Sequence, residues 1–348
     1  MSLPNPAPIL DLIESFRRSK TMFTAVSMRI FDRLHEAPSD SAALAVALGA
    51  APDALERLLA SCAALGLLRK EAGVYRNEPI AECFLRQDSP DTLAGYILYS
   101  DRALYPMWAN LETAILEGTH RWKQTFGWDG PIFSSFFRTE AAMRDFLRGM
   151  HGFGSLTSPA VVGAFDLSRF HRFVDLGGAT GHLAIAACER YPAMRGVVLE
   201  LAQVARFARE YAALSPAAAR IVVAEGDFFR DELPAGDLYA VGQILHDWTD
   251  EKIASLLARI FDRLPAGGGL LIVEKLLNED GVGPLAANMQ SMNMLICTEG
   301  KERSVGEYAR LLRAAGFGEV EGRRTGARLD AILALKPLSA YPPAHRDP

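Results

Sequence analysis

The sequence predicts an α/β protein in which a doubly wound, mostly parallel sheet follows a mainly helical N-terminal region. After Arg172, strand-like apolar segments alternate with helical ones, and before about residue 88 helical patterns end in a short hairpin. A Gly-rich turn at 177–181 joins a strand pattern to a helical one, as ligand-binding turns do. With 348 residues the chain is long enough for two domains.

Composition excludes several classes of protein. The chain is 49% hydrophobic and 23% charged, and its net charge of -5 offers no general attraction to nucleic acid or anionic membranes. We find no signal-peptide pattern and no apolar run long enough to span a bilayer. The four cysteines form no CxxC pair, so we expect neither disulfides nor a zinc site. A cytoplasmic protein without membrane contact is the prediction.

The first 88 residues predict a winged helix. Apolar residues recur at helical spacing and indicate one buried face: Phe23, Val26, Ile30, Phe31 and Leu34. Ser41 is expected to cap a helix that ends near Gly49, and another helix runs from Asp53 to a stop at Gly66. The residues that follow predict a hairpin turning at 71–73.

A winged helix often binds DNA, but this one lacks the charge for it. The helix that would enter the groove carries Arg57 as its cation, together with the acids Asp53 and Glu56. A DNA-reading helix needs several Lys or Arg side chains to neutralise phosphates. We therefore predict that no nucleic acid binds and that this domain contacts a second copy of the chain.

Residues 89–165 are helical and rich in aromatic side chains, most of which we expect in the core. A few between Phe137 and Phe153 are expected to line an apolar pocket, since they lie just before the Gly-rich turn. The sequence thus predicts three segments, with the winged helix at 1–88, a helical connector at 89–165 and the sheet domain at 166–348.

Six strands are predicted in the last segment, at 173–176, 196–200, 221–223, 238–243, 270–274 and 331–335. An acid ends or closely follows four of them: Asp175, Glu200, Asp227 and Glu274. Ligands of doubly wound sheets bind beyond the carboxyl ends of the strands. The pattern therefore predicts a ligand site at that edge.

The Gly-rich turn does not fit a nicotinamide dinucleotide. That fingerprint is GxGxxG with an acid about 20 residues later, whereas this turn reads Gly-Gly-Ala-Thr-Gly from Gly177. Asp175 precedes the glycines, where it would repel a pyrophosphate, and it suits a cationic or neutral ligand. Glu200 can still accept hydrogen bonds from two ribose hydroxyls.

In combination, these motifs resemble the class I S-adenosylmethionine-dependent O-methyltransferases of the caffeic-acid and acetylserotonin (hydroxyindole) type. The matching segments are Val-Asp-x-Gly-Gly-x-Thr-Gly from Val174, then Glu200, 226–229, 245–248, 265–269 and 299–303. The resemblance covers nearly the whole chain. It implies a Rossmann-like catalytic domain, an N-terminal winged-helix dimerisation domain and a homodimer.

The resemblance also implies roles for individual residues, with S-adenosylmethionine as the cofactor and S-adenosylhomocysteine as its product. Cofactor contacts are implied for Asp175, Gly177, Glu200, Gly226, Asp227, Phe228, Gln243, Trp248 and Phe137. His246 matches the general base, and the acids that flank it are Glu274 and Glu302. Substrate contacts are expected for Asp247, Asn293, Cys297, Met150 and Met294. No metal site is implied.

Elementary chemistry supports a histidine base. A hydroxyl becomes a nucleophile as its proton leaves, and histidine takes protons near neutral pH. A phenol has a pKa of ~10 and a histidine ~6.5, so complete prior transfer would cost about 5 kcal/mol. We therefore expect proton removal to accompany attack, or a carboxylate on the other ring nitrogen to assist it. Alone, His246 could instead stand at a helix start capped by Asp247 and Thr249.

The sequence departs from the family pattern at several positions. Ala179 replaces a glycine and Glu200 an aspartate, Cys297 stands where acetylserotonin enzymes have a glutamine, and Phe137 and Gly154 replace a Tyr and a Trp. The prediction is a metal-independent O-methyltransferase for a small aromatic (phenol, hydroxyindole or polyketide-like) hydroxyl. Two alternatives stay open, a catalytically silent cofactor-binding regulator and an N- or C-methyltransferase or other S-adenosylmethionine-dependent enzyme on the same scaffold.

Overall fold

The computed structural model describes residues 3–130, 134, 135, 137 and 139–338. The chain separates into two compact units, each built from two stretches of sequence. The first contains Met1–Pro106 and Phe137–Gly152, and the second contains Met107–Phe136 and Phe153–Pro348. The three-segment division drawn from the sequence stays a prediction.

The N-terminal elements follow the predicted order of helices and hairpin. They are α1 (Ala7–Ser27), α2 (Ile30–Glu36), α3 (Ser41–Leu48), α4 (Pro52–Ala64), the antiparallel strands β1 (Leu68–Glu71) and β2 (Val74–Asn77), α5 (Pro79–Phe84) and α6 (Ala94–Tyr99). A π-helical turn, Ser100–Leu104, follows α6. The winged-helix assignment itself stays a prediction.

The predicted apolar face of the first helices is buried. Val26, Ile30, Phe31 and Leu34 lie in one cluster, and Phe23 packs against it half-buried. The apolar spacing runs across a break, because α1 ends at Ser27 and α2 begins after a left-handed residue. Burying such a face contributes about 1.5–3 kcal/mol for each large aliphatic side chain.

The expected cap of α3 is wrong by one residue. Asp40, not Ser41, is the N-cap, and its Oδ1 accepts a hydrogen bond from the Ala43 N–H at 2.8 Å. Ser41 is the first helical residue. Both are good capping residues, so composition alone could not choose between them.

Short helices and one long helix connect the N-terminal elements to the sheet. They are α7 (Tyr105–Trp108), α8 (Leu111–Glu117), α9 (Trp122–Phe126) and α10 (Glu140–Val162). Residues of α7 and of α10 belong to both compact units. Trp122 is fully buried, and its indole N–H donates to the carbonyl of Cys297 at 2.8 Å.

The second unit contains a seven-stranded sheet in the order β5-β4-β3-β6-β7-β9-β8. Its strands are β3 (Arg172–Leu176), β4 (Arg195–Glu200), β5 (Ile221–Glu225), β6 (Leu238–Gly242), β7 (Gly269–Glu274), β8 (Val320–Arg323) and β9 (Asp330–Leu335). The first five pair in parallel, and β9 runs antiparallel to both β7 and β8. The doubly wound, mostly parallel sheet is therefore confirmed.

The helices between the strands are α11 (His182–Arg190), α12 (Ala202–Leu214), α13 (Asp250–Arg263), α14 (Leu285–Cys297) and α15 (Val305–Ala314). Two apolar clusters contain the buried side chains of the sheet together with those of its helices. All of β7 is buried, as is typical of a parallel strand covered on both faces. Among the described residues, no helix combines the length and apolar character that a membrane crossing needs.

Two differences from the predicted strands have clear causes. Strand β8 was not predicted, because this edge strand contains a glycine between two charged residues, Glu321 and Arg323. Strand β6 ends at Gly242 and not at Gln243, because Gln243 is left-handed with φ 54°. That reversal turns the chain out of the sheet and into the segment that contains His246.

We predict that Ser304→Ala lowers the free energy of unfolding by about 1–2 kcal/mol, measured by urea denaturation. Ser304 caps α15: its Oγ accepts from the Glu307 N–H at 3.2 Å, and Glu307 accepts in return from the Ser304 N–H at 2.9 Å. The Oγ also donates to Glu279 at 2.9 Å. Ser255→Ala, an exposed change within α13, is the control and should not destabilise the chain. Equal effects of the two variants would contradict the capping argument.

Candidate active site

The candidate site lies at the carboxyl ends of β3, β4, β6 and β7. The strand order reverses between β3 and β6, because β4 and β5 continue to one side of β3 and β7 to the other. In sheets of this kind, ligands bind at that switch point. Asp175 lies on β3, and Glu200 and Glu274 are the last residues of β4 and β7. The predicted acids are thus at one edge of the sheet.

The turn after β3 leaves bare backbone beside the sheet. Gly177 and Gly181 are left-handed, with φ 66° and 79°, which glycine adopts without strain. A Cβ on Gly177 would lie 2.7 Å from Ile244 Cδ1, and one on Gly178 would lie 2.5 Å from Asp175 Oδ2. A side chain at Gly177 would therefore be strained by the left-handed backbone, and one at Gly178 would displace the buried Asp175 carboxylate. Helix α11 begins directly after the turn.

Glu200 holds this turn in place. Its Oε1 accepts from the Ala179 N–H at 2.9 Å, and its Oε2 accepts from the Leu201 N–H at 2.7 Å. Ala179 itself is left-handed with φ 52°, a conformation that costs a residue with a Cβ roughly 1–2 kcal/mol. Each carboxylate oxygen keeps a further lone pair for a ligand.

Asp175 is buried and Glu200 is half-buried, and both have raised pKa values. Burial raises the pKa of Asp175 to about 7, against the opposing effect of the Ala184 N–H. Burial also raises the pKa of Glu200 to about 7, although the Leu201 and Ala179 N–H groups oppose it. Carboxylates with raised pKa values would be stabilised in their charged form by a cationic ligand.

The segment after β5 presents predicted cofactor residues. The Gly226 N–H donates to the Glu200 carbonyl at 2.9 Å, and the Asp227 Oδ1 accepts from the Phe229 N–H at 2.9 Å. The ring centroids of Phe228 and Phe229 are 4.8 Å apart. Phe229 meets Trp248 edge-on at 5.2 Å. These rings form an apolar surface beside the acids.

His246 lies in a one-turn 3₁₀ helix, Leu245–Asp247, and both flanking acids reach one of its ring nitrogens. Nδ1 is 2.7 Å from Glu302 Oε1 and 3.1 Å from Glu274 Oε2. Nε2 is 3.7 Å from Asp247 Oδ1. All four side chains are buried. Carboxylates on Nδ1 select the tautomer in which Nε2 is the acceptor.

Glu274 also positions the backbone of this turn. Its Oε1 accepts from three successive N–H groups, those of Ile244 at 3.2 Å, Leu245 at 3.0 Å and His246 at 3.4 Å. A carboxylate at the start of a helical turn satisfies N–H groups that have no partner within the turn. The alternative prediction, a histidine before a helix capped by Asp247 and Thr249, is confirmed only in part. Thr249 is the N-cap of α13, which begins at Asp250, but its side chain makes no capping hydrogen bond.

Two residues of the 299–303 motif, for which no individual role was predicted, support the same turn. Arg303 is buried, pairs with Asp250 at 2.6 Å and donates to the carbonyls of Leu245 and Trp248 at 3.3 Å each. Gly300 lies so close that a Cβ there would be 2.3 Å from the His246 carbonyl oxygen. The motif itself was the only sequence signal for either residue.

The acids around His246 have raised pKa values. Burial raises the pKa of Glu274 to about 7 and that of Glu302 to about 8. It also raises the pKa of Asp247 to about 7, and the charges of Glu274 and Glu302 add to the effect. Shifts of this kind in several adjacent groups are typical of catalytic sites.

Two predicted substrate residues of α14, Asn293 and Cys297, form hydrogen bonds with neighbouring groups. The Asn293 Oδ1 accepts from the Trp108 indole N–H at 2.9 Å, and the Cys297 thiol donates to the Asn293 carbonyl at 2.9 Å. Cys297 and Met294 are buried. Burial raises the pKa of Cys297 well above its usual value, and the charge of Asp247 contributes. The thiol is therefore neutral at physiological pH.

Phe137 and Met150 belong to the other compact unit. Phe137 packs against Phe146 there, with ring centroids 6.0 Å apart. Their roles toward cofactor and substrate stay predictions.

His246, Glu274 and Glu302 are also of the residue types that ligate metals, and one donor atom of each lies within 4.8 Å of the others. The Nδ1–Oε1 separation of 2.7 Å is a charge-assisted hydrogen-bond distance. Two buried oxygens of the acids in this cluster, Glu302 Oε2 and Glu274 Oε2, have no hydrogen-bond partner among the described residues. Metal independence stays a prediction.

Comparison with known proteins assigns the chain to a family. The O-methyltransferase domain family matches residues 108–318, and the O-methyltransferase dimerisation domain family matches residues 10–87. Acetylserotonin O-methyltransferase of Bos taurus is 40% identical over 333 residues, 94% of this chain and 96% of that protein. A solved structure of human N-acetylserotonin methyltransferase with SAM superposes with a TM-score of 0.91 at 37% identity, covering 97% of this chain and 99% of that one.

A further relative is longer than this chain. The human protein named "Probable bifunctional dTTP/UTP pyrophosphatase/methyltransferase protein" is 41% identical over 336 residues, which are 96% of this chain and 54% of that protein. The chain thus spans about half the length of that relative. The two family matches lie in the order that the sequence predicted, dimerisation domain first. The chain belongs to the S-adenosylmethionine-dependent O-methyltransferase family, and it is an enzyme of the acetylserotonin O-methyltransferase type.

Proposed function

We propose that the enzyme methylates the hydroxyl of a small aromatic molecule and that His246 removes the hydroxyl proton. The observation that carries this proposal is the buried Nδ1 of His246, with Glu302 at 2.7 Å and Glu274 at 3.1 Å. This arrangement directs Nε2 to accept a proton and stabilises the imidazolium that forms. A histidine that served packing alone would not require two buried acids on the same nitrogen.

The residues around the glycine turn fit S-adenosylmethionine, which supplies an activated methyl group when bound. Gly177 leaves room where a Cβ would clash, so backbone can approach a ligand closely. Glu200 would hold the ribose hydroxyls with its remaining lone pairs. Asp227 and Phe228 would contact the adenine, with Trp248 packed near them through Phe229. Asp175 and Gln243 complete the proposed cofactor residues.

The acceptor is proposed to be a flat, mostly apolar molecule with one reactive hydroxyl. Asn293 of α14 contacts the indole of Trp108 and the neutral thiol of Cys297. Asp247 lies on the side of His246 Nε2. Two curated relatives and the solved human structure are named for N-acetylserotonin or acetylserotonin. A hydroxyindole is therefore one candidate within the class of phenols, hydroxyindoles and polyketide-like hydroxyls.

The enzyme is proposed to be a cytoplasmic homodimer. Helix α1 exposes an apolar row in which Ile9, Leu10, Leu12, Ile13 and Phe16 are each more than half exposed. An apolar patch of this kind marks an interaction surface. The dimerisation-domain match begins at residue 10 and includes most of α1, so a second copy is the expected partner. The absence of nucleic-acid binding stays a prediction, and Arg57 of α4 faces Asp53 at 3.4 Å.

We predict that His246→Ala lowers kcat for phenolic acceptors by roughly 10²–10⁴-fold, the usual contribution of a general base. Turnover is measured with a labelled methyl donor over a panel of phenols and hydroxyindoles. His171→Ala, an exposed histidine of the same unit, is the control and should be fully active. Unchanged turnover in His246→Ala would refute the assignment of the base. Cofactor binding without turnover by the unaltered protein would instead favour the silent regulator.

Glu200→Ala should weaken S-adenosylmethionine binding by about 100-fold or more in calorimetry, because hydrogen bonds to a charged group contribute about 1.5–3 kcal/mol each. Gly177→Val should abolish binding, because Gly177 is left-handed with φ 66° and a β-branched residue there would force the turn to change shape. Glu210→Ala, exposed on α12, should bind normally. Circular dichroism checks that each variant is folded. Undiminished S-adenosylmethionine binding in both Glu200→Ala and Gly177→Val would refute the assignment of the cofactor site.

The double variant Ile13→Glu, Phe16→Glu should convert the dimer to a monomer in light scattering coupled to size exclusion, because two charges would be buried without partners. Leu214→Glu, which alters an exposed leucine of α12, is the control and should leave the mass unchanged. A dimer that survives the double variant places the interface elsewhere.

A further inference from the structure

Lys275 is a half-buried cation that neither the cofactor nor the substrate assignments use. It directly follows Glu274 at the end of β7. Its Nζ donates to Gln290 Oε1 of α14 at 2.7 Å and lies 5.5 Å from the ring centroid of Phe153. A neutral amide and an aromatic face are weak compensation for an ammonium removed from water. An anion close to the Lys275 ammonium would therefore stabilise its charged form.

The backbone places that anion at Glu302. Leu277 and Ser304 form a parallel bridge, and the Leu277 N–H donates to the Arg303 carbonyl at 3.1 Å. Two residues earlier on each of these parallel segments are Lys275 and Glu302. This register makes Lys275 and Glu302 neighbours along the two backbone segments, and Glu302 is the acid that contacts His246 Nδ1.

The site needs a positive charge at this position. Glu274, Glu302 and Asp247 are all buried around one histidine. Arg303 is the nearest arginine in sequence, but its guanidinium contacts Asp250 and the carbonyls of Leu245, Trp248 and Lys301. Buried carboxylates that lack an opposite charge take up protons instead. A protonated Glu302 would not stabilise an imidazolium.

We propose that Lys275 is a positioning residue whose ammonium favours the ionised form of Glu302 beside His246, so that His246 can take the hydroxyl proton at a lower pH than it could without the lysine. This inference rests on the proposed function, because it concerns the same base.

The mutual electrostatic influence of Lys275 and Glu302 supports this role of the lysine. Burial raises the pKa of Glu302 to about 8, and the charge of Lys275 is the largest influence that opposes this rise, followed by that of Arg303. In return the charge of Glu302 opposes the lowering of the Lys275 pKa by burial. The other charged or titratable groups that act on this cluster are His246, Asp247, Glu274, Glu299, Arg303, Tyr308 and Arg328.

The direction in which the pH–rate profile should shift follows from the loss of the positive charge of Lys275. Without the ammonium, the pKa of Glu302 rises, so at a given pH a larger fraction of the acid is protonated. The active form then appears only at higher pH. We expect Lys275→Met to move the acid limb of the kcat/KM profile upward by about one pH unit, roughly a tenfold loss on the acid side. Activity should approach that of the unaltered enzyme above this limb.

The experiment compares pH–rate profiles of the full chain and three variants. Lys275→Arg keeps the charge and should keep the profile. Lys123→Met removes an exposed lysine that pairs with Asp129 and should also leave the profile in place. A loss in Lys275→Met that is equal at every pH would show a purely structural role and overturn the inference, as would an unmoved acid limb.

A second measurement does not depend on turnover. The Nδ1–H proton of His246, held by Glu302, is followed by NMR as a function of pH and assigned by its disappearance in His246→Gln. The pH midpoint of the change in its chemical shift, which reports the ionisation of Glu302, should rise in Lys275→Met and stay unchanged in Lys123→Met. An unmoved midpoint in Lys275→Met overturns the inference. If the unaltered chain methylates no aromatic hydroxyl, the proposed function fails, while this titration still tests the charge. Lys275→Gln substitutes for the methionine variant if the latter unfolds.

Discussion

One buried carboxylate, that of Glu274, determines the geometry on which the rest of the site depends. Its Oε1 accepts from three successive N–H groups of the turn after β6, while its Oε2 faces His246 Nδ1. Because β7 is buried along its whole length, the carboxylate cannot move away from the sheet. The histidine is thus fixed through both its backbone and its ring by a residue of the neighbouring strand.

This arrangement concentrates acidic groups in one region. Asp175, Glu200, Asp247, Glu274 and Glu302 all have pKa values raised mainly by burial. Such a site is unfavourable when every acid is charged, so it requires compensating cations or bound protons. Arg303 stabilises the turn that contains His246. A cationic cofactor suits the glycine turn that follows β3. An acidic site therefore suits a methyl-transfer reaction whose methyl donor is a cation.

Much of this could be predicted from the sequence. The strands buried on both faces are apolar runs, so β3 to β7 and β9 were found within one or two residues at most ends, and the acids at their ends indicated the site. The edge strand β8 has no apolar pattern, and the left-handed Gln243 and Ala179 have no local signal. Arg303 and Lys275 were missed as functional residues because their significance lies in contacts between segments far apart in sequence.

The contact between Ala179 and Glu200 has a consequence for how this sequence can vary. A glycine is the family's usual residue at the first position and an aspartate at the second, and here both differ. The glutamate's extra methylene lets Oε1 reach the N–H of a left-handed alanine at 2.9 Å. Shortening the acid alone would withdraw that oxygen from a strained turn, and relieving the turn alone would remove the strain that this contact offsets. We therefore expect substitutions at the two positions to be non-additive, each changing the effect of the other.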